Sequence, residues 1–217
     1  KGYFAAIDGM SVDDPPREGF IRGRSFLHPT LRLAFTVPPG FRLFNDSDGV
    51  LAVNRDRALM LFSCLPTPVA GPLDDWMRNK LKPTPTDIRT LEINGSEAAI
   101  GARPRGSDTG LGQARYIAIR QGARVCNFAL VSEGADQDRQ IEAMVQAART
   151  FRTLTSSEAA SLQPYRLRIV SPAGSTPAQL AARMPYPDLR MERLLVLNAA
   201  QVPADLTGRS EIKTVQP

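Results

Sequence analysis

The hydrophobic pattern changes period several times along the chain, and each change marks an element. From Leu31 apolar residues recur at every second position. Leu31, Leu33, Phe35 and Val37 fall on one face and Arg32, Ala34 and Thr36 on the other, until Pro38-Pro39-Gly40 stops the run. This is the alternation of a half-buried strand. Three short runs follow, FRLF, VLAV and ALMLFSCL, separated by turn residues at 45–49 and 54–56, and they predict an antiparallel meander. After the breaker run PTPVAGP the period becomes helical. Leu73, Trp76, Met77 and Leu81 form one stripe ended by Pro83, which places the single tryptophan in the core. IRTLEI and SEAAIGARP about Asn94-Gly95, then RYIAIR and ARVCNFALVS about Gln121-Gly122, predict two hairpins, with the glycine-rich GSDTGLG between them as a surface loop. Residues 136–154 carry the clearest helical stripe (Ile141, Met144, Ala148, Phe151), with Asp136 as cap. Thr155-Ser156-Ser157-Glu158 has capping-box spacing and opens a short helix that ends before Pro164.

Beyond Pro164 the pattern restarts as a small unit. YRLRIV reads as a strand, TPAQLAARM as a helix with Thr176 as cap and Pro177 at its first position, MERLLVLN as a second helix, and EIKTV as a closing strand. The expected organisation is an N-terminal helix and linker (1–25), an α+β domain of antiparallel sheet packed with helices (26–162), and a βααβ tail (163–217). The opening KGYFAAIDGM has a helical stripe at Tyr3, Phe4, Ile7 and Met10 and no initiator Met, so the chain is expected to be a piece of something longer. It lacks the basic-then-apolar order of a signal peptide, and no window reaches the eighteen or so apolar residues of a membrane span.

Charge and candidate chemistry narrow the function. The net charge of +5 is spread among interleaved acids, without the concentrated positive footprint of a nucleic-acid binder. With one histidine, His28, and two cysteines outside any CxxC spacing, the chain has no HExxH zinc helix and too few ligands for a hydrolytic metal site, so no cofactor is expected in it. There is no Gly-x-Ser-x-Gly elbow to serve a serine nucleophile, and His28 reads as structural or solvated rather than catalytic. The adjacent pairs Asp13-Asp14 and Asp74-Asp75 diverge too far to act as a general acid/base couple. Asp74 and Asp75 instead complement the dipole of a helix's first turn. Cys64 and Cys126 lie in apolar runs, as a disulfide between neighbouring strands or as two reduced core thiols. One basic strip stands out: Arg17, Arg22 and Arg24 with Phe20, Ile21 and Phe26, either a solvated connector or a docking surface for an acidic partner.

The run AAIDGMSVDDPPREGFIRGRSFLHPTLRLAFTVPPGFRLFN, followed by INGSEAA and FRTLTSSEAASLQP, resembles the segment after the protease domain in bacterial HtpX/BepA-type zinc metallopeptidases, in their long alphaproteobacterial form. The resemblance implies a non-catalytic C-terminal accessory region in the periplasm or cell envelope. Zinc would then belong to the parent protease domain, which becomes the first expected partner through Arg17, Phe20, Arg22 and Arg24. VPPGF after a strand resembles the opening of the PsbP/Mog1-like sandwich. The tail resembles LysM, a βααβ module that binds N-acetylglucosamine-containing glycans. Gly174, Ser175 and Thr176 stand where such modules often have Gly-Asp-Thr, and Asn198 follows the second helix, so a groove is expected near 174–177 and 198–202. Ser175 in place of the acid, the longer turn at PYPDL and Thr207-Gly208-Arg209 in place of Pro-Gly-Gln depart from that pattern. The alternatives to an accessory region are therefore a peptidoglycan-binding module and a small hydrolase with an unrecognised site.

Overall fold

The computed structural model describes residues 2–12, 14–46, 48–103, 112–172 and 174–217. The elements run α1 (Tyr3–Ile7), β1 (Phe20–Arg22), β2 (Ser25–His28), β3 (Leu33–Thr36), β4 (Arg42–Asp46), β5 (Gly49–Val53), β6 (Ala58–Cys64), α2 (Leu73–Lys80), β7 (Thr86–Ile93), β8 (Ser96–Ala102), β9 (Gln113–Gln121), β10 (Arg124–Ser132), α3 (Gln137–Ala148), β11 (Arg152–Thr153) and α4 (Ser156–Ser161). The tail adds β12 (Arg166–Val170), α5 (Pro177–Ala182), α6 (Arg190–Leu197), a 3-10 turn at Pro203–Leu206, and β13 (Ile212–Gln216). The fold is α+β with antiparallel sheets, as the pattern predicts, and the tail is βααβ. Most of the glycine-rich loop expected between the hairpins lies outside the described residues.

The predicted meander and hairpins join into one seven-stranded sheet of order β4-β5-β6-β10-β9-β8-β7. The junction is β6 against β10, in register from Ala58–Ser132 to Cys64–Cys126. A second sheet, β1-β2-β3-β11, and helix α3 cover one face of the large sheet. Between them lie Phe26, Phe35, Phe62, Phe128 and Phe151, with Phe62 and Phe128 ring centroids 4.7 Å apart and Phe35 edge-on to Phe128 at 5.0 Å. On the opposite face α2 seats Leu73 and Met77 against Ala99, Ala118 and Val125. Its close approach requires Gly101, where an added Cβ would lie 2.9 Å from Pro85 and 3.4 Å from Met77.

Several expectations are corrected in detail. The strand at Leu31 begins only at Leu33, because Arg32 adopts φ 53° and turns its guanidinium onto the Leu154 carbonyl at 3.0 and 3.1 Å. Its two faces are both covered: Ala34 is buried along with Leu33 and Phe35, so the alternation does not mark a solvent face. Helix α3 stops at Ala148 rather than running to Leu154. The Thr150 hydroxyl bonds the Ala147 carbonyl and receives the Thr36 amide at 2.8 Å, and the chain turns to lay β11 on β3. Asp136 occupies the N-cap without a capping hydrogen bond. Trp76 is only half-buried, on the rim of the α2 cluster. The helix starts at Thr155 and Thr176 do carry reciprocal capping boxes. The hydrogen bond from Arg152, with the Thr155 amide, pulls the Glu158 carboxyl down to about 2.

Residues 20–25 form β1 and the turn to β2 rather than a linker, and Phe20 is 1% exposed. Ahead of them, residues 8–12 run antiparallel beside β12, through an isolated bridge at Ser11–Arg166 and flanking backbone hydrogen bonds. The Gly9 amide donates to the Leu167 carbonyl, Leu167 to Met10 and Val12 to Tyr165, at 2.8, 2.8 and 2.9 Å, and the Asp8 carboxylate receives the Ile169 amide at 2.9 Å.

Candidate functional site

The tail groove forms where the turn into α5 faces the turn into β13. Thr176 caps α5 by accepting the Gln179 amide, and Pro177 supplies the first helical φ, so the chain at 174–177 is fixed as one lip. Thr207, Gly208 and Arg209 make the other lip, and Leu180, Leu206 and Ile212 the floor, around a cavity of about 490 Å³. Arg209 is held there by the Asp205 and Asn198 carbonyls at 2.7 and 2.9 Å. Asp205 in turn accepts the Gln201 and Val202 amides, which hold its carboxyl below the ordinary aspartate range. Gly174, Ser175 and Thr176 therefore line one groove.

Asn198 and residues 198–202 do not line it. Asn198 is 6% exposed and its amide is spent on backbone: Nδ2 donates to the Leu194 and Lys213 carbonyls at 2.9 and 2.8 Å, and Oδ1 accepts the Lys213 amide at 2.8 Å. It ties the end of α6 to β13. The sequence signal that finds the true second lip is Thr207-Gly208-Arg209, the turn before the closing strand.

The arginine strip is largely an internal joint. Arg17 is exposed and meets Glu18 at 3.4 Å, whereas Phe20 is buried and Arg24 donates to the Val37 carbonyl at 2.9 Å. Arg22 crosses to the tail: it donates to the Gln163 carbonyl at 3.0 Å, and its guanidinium lies 3.6 Å from the Tyr165 ring centroid and 4.8 Å from that of Phe20. Tyr165 meets Tyr186 edge-on at 5.9 Å, and Arg193 covers Tyr186 at 4.4 Å. This stack of alternating rings and cations couples the sandwich to the tail. Replacing Arg22 with Ala is expected to cost about 1–2 kcal/mol and to make residues 163–172 susceptible to limited proteolysis at enzyme levels that leave the parent chain intact; identical cleavage rates would rule the joint out.

His28 is 7% exposed, and its Nδ1 accepts the Leu31 amide at 3.1 Å. Burial pushes its pKa below 6.5, and its hydrogen bond to the Arg17 backbone restores part of the loss. A cavity of about 130 Å³ beside it also touches Asp46, Asp48 and Ser63, but the Ser63 hydroxyl pairs with Asn127 at 3.2 Å and among the described residues His28 holds no hydroxyl or carboxylate. Its described contacts are those of a structural imidazole that closes the turn at Leu31. Because the folded state resists protonation, stability is complete above pH 6.5 and falls as pH drops below that value, where the unfolded chain takes up the proton first. A His28→Gln variant should show a shallower loss in acid urea titrations; parallel curves for parent and variant would contradict this.

Cys64 and Cys126 are directly opposed on β6 and β10 and form a disulfide. Among the described residues no group of three or more His, Cys, Asp or Glu side chains is placed to hold a metal ion. Among the described residues no helix is long and apolar enough to cross a membrane. Sequence reasoning missed Arg120, which pairs with Glu97 at 3.1 Å and clamps the Val69 and Gly71 carbonyls at 2.6 Å, while Glu97 accepts the first amide of α2 at 3.1 Å. These partners are distant in sequence and leave no local pattern.

No protein-family model and no curated protein matches the sequence. Among solved structures, a protein of Bacteroides thetaiotaomicron VPI-5482 aligns over 68% of this chain at 15% identity with a TM-score of 0.43, and this chain spans 53% of that protein's length. Cyanobacterial PsbP (CyanoP) of Synechocystis sp. PCC 6803 aligns over 61% of this chain and 94% of its own, at 12% identity and a TM-score of 0.46.

Proposed function

We propose that this chain is the non-catalytic accessory region of an envelope zinc metallopeptidase of the HtpX/BepA kind, with the zinc held by the parent protease domain. The family phrases between residues 5 and 45 motivate the reading, and the placement of residues 8–12 carries it. A segment that leads out of a protease domain would ordinarily be a loose tether. Here it is hydrogen-bonded along β12, and Arg166 donates to the Gly9 carbonyl at 2.8 Å, so a preceding domain would be held at the edge of the tail sheet. The Cys64–Cys126 bridge supports an oxidising compartment such as the periplasm. The test is to isolate the native polypeptide with an antibody raised against this chain. A species well above 23.7 kDa, with stoichiometric zinc and chelator-sensitive peptidase activity that the 217-residue chain lacks, is the expected result. Zinc-dependent cleavage by the 217-residue chain itself would overturn the proposal.

A second reading, a peptidoglycan-binding tail, is favoured by one observation: the 174–177 lip expected from the LysM resemblance borders an open groove, although its second lip is 207–209 and not 198–202. Co-sedimentation with insoluble peptidoglycan that is lost in a Ser175→Tyr variant, whose ring would fill the groove, would support it. Equal sedimentation of parent and variant would reject it.

A further inference from the structure

We infer that the groove between α3 and the β7–β8 end of the large sheet is a binding cleft for a short, extended acidic peptide. The inference rests on the cleft alone and stands apart from the metallopeptidase reading. Helix α3 packs over β6, β9 and β10 and leaves Leu91 and Ile100, on the same face of β7 and β8, only partly covered. The resulting groove, of about 490 Å³, has an apolar floor built by Leu91 and Ile100 from the sheet and by Ile141 and Val145 from the helix. Asn94, in the turn between β7 and β8, donates to the Arg149 and Phe151 carbonyls at 3.0 and 2.8 Å, so the helix ends at that turn. At the other end the Gln113 side chain donates to Asp138 at 2.8 Å. The cleft thus runs beside the strands for the length of α3. Its 12 residues span about 18 Å, which is room for about five residues of extended chain.

Charge sets the class of occupant. Arg89, Arg115 and Arg149 border the cleft, and among the described residues none has an ion-pair partner; Arg115 donates to the Ala114 carbonyl at 3.2 Å. Asp138 and Glu142 lie on the helix wall, each already accepting from a glutamine amide at 2.8 and 2.6 Å. Three guanidinium groups outside any ion pair among the described residues, against two carboxylates on the helix wall, leave the rim with a net positive charge beside apolar side chains, which suits a ligand that brings a carboxylate next to an aliphatic group.

Anisotropy titrations of the full 217-residue chain with a fluorescein-labelled Glu-Val-Glu-Leu-Glu peptide, and with its Lys-Val-Lys-Leu-Lys counterpart, test this. The acidic peptide should bind saturably, weaken as salt is raised, and shift the amide resonances of residues 89–93 and 149, while the basic peptide should not bind. Arg89→Glu combined with Arg149→Glu should weaken binding at least about tenfold, whereas Arg139→Glu, an exposed reversal outside the cleft, should leave it unchanged. Equal binding of the two peptides, an unchanged affinity in the double reversal, or amide shifts confined to other residues would each overturn the inference. The amide shifts of the parent chain keep it testable should the double reversal fail to fold.

Discussion

Replacing Cys64 and Cys126 together with Ala, or reducing the bridge, is expected to lower the unfolding free energy by about 4 kcal/mol. The two residues are 62 positions apart, and the loop they close contains α2 and strands β7, β8 and β9. Cross-linking so long a loop removes much of the freedom of the unfolded chain, and the gain grows with the logarithm of loop length. The folded state does not depend on the bridge for its register, since six further residue pairs from Ala58–Ser132 to Ser63–Asn127 align the same strands. The reduced protein should therefore keep its circular dichroism spectrum and lose midpoint rather than shape. Guanidinium titrations with and without reductant measure this, and coincident midpoints would show that the bridge constrains nothing.

Phe128→Ala should cost about 3–5 kcal/mol and act through the other state, the folded one. Phe128 is fully buried on β10, edge-on to Phe35 at 5.0 Å and to Phe151 at 6.5 Å, and 4.7 Å from Phe62. These rings come from β3, β6, β10 and the segment after α3, so truncation leaves a void that no single element can close, along with lost ring contacts. Phe44, 44% exposed on β4, is the internal control: its replacement by Ala should cost well under a third as much. Similar losses at both positions, read as urea midpoints, would mean that the aromatic cluster is not the organising core.

The comparison of Phe128 with Phe44 also shows where sequence stops being informative. Sequence is legible where local physics decides: Thr155 and Thr176 cap helices because their hydroxyls reach amides three residues on, and Asn94-Gly95 turns a hairpin because both residues take positive φ. The pairing of β6 with β10 leaves only the two cysteines as a trace, and these fit reduced core thiols equally well, since strands so far apart in sequence choose each other by shape and burial. Alternation misled at Ala34 because a strand in a sandwich can be covered on both sides. The groove lip at Gly174 to Thr176 was legible as a motif, but Asn198 was misread, since an asparagine that satisfies backbone and one that faces a ligand look alike in sequence. The arginine strip was visible as charge, yet only the structure shows that Arg22 spends its cation on Tyr165 of the same chain. The cleft beside β7 draws on four elements and was not foreseen.

The strip of backbone from Gly9 to Val12 has a consequence for biosynthesis. Its partners on β12 leave the ribosome about 150 residues later, after the entire sandwich has been made. Until then these early amides wait in water, so closure of that small sheet reports that translation has passed residue 167.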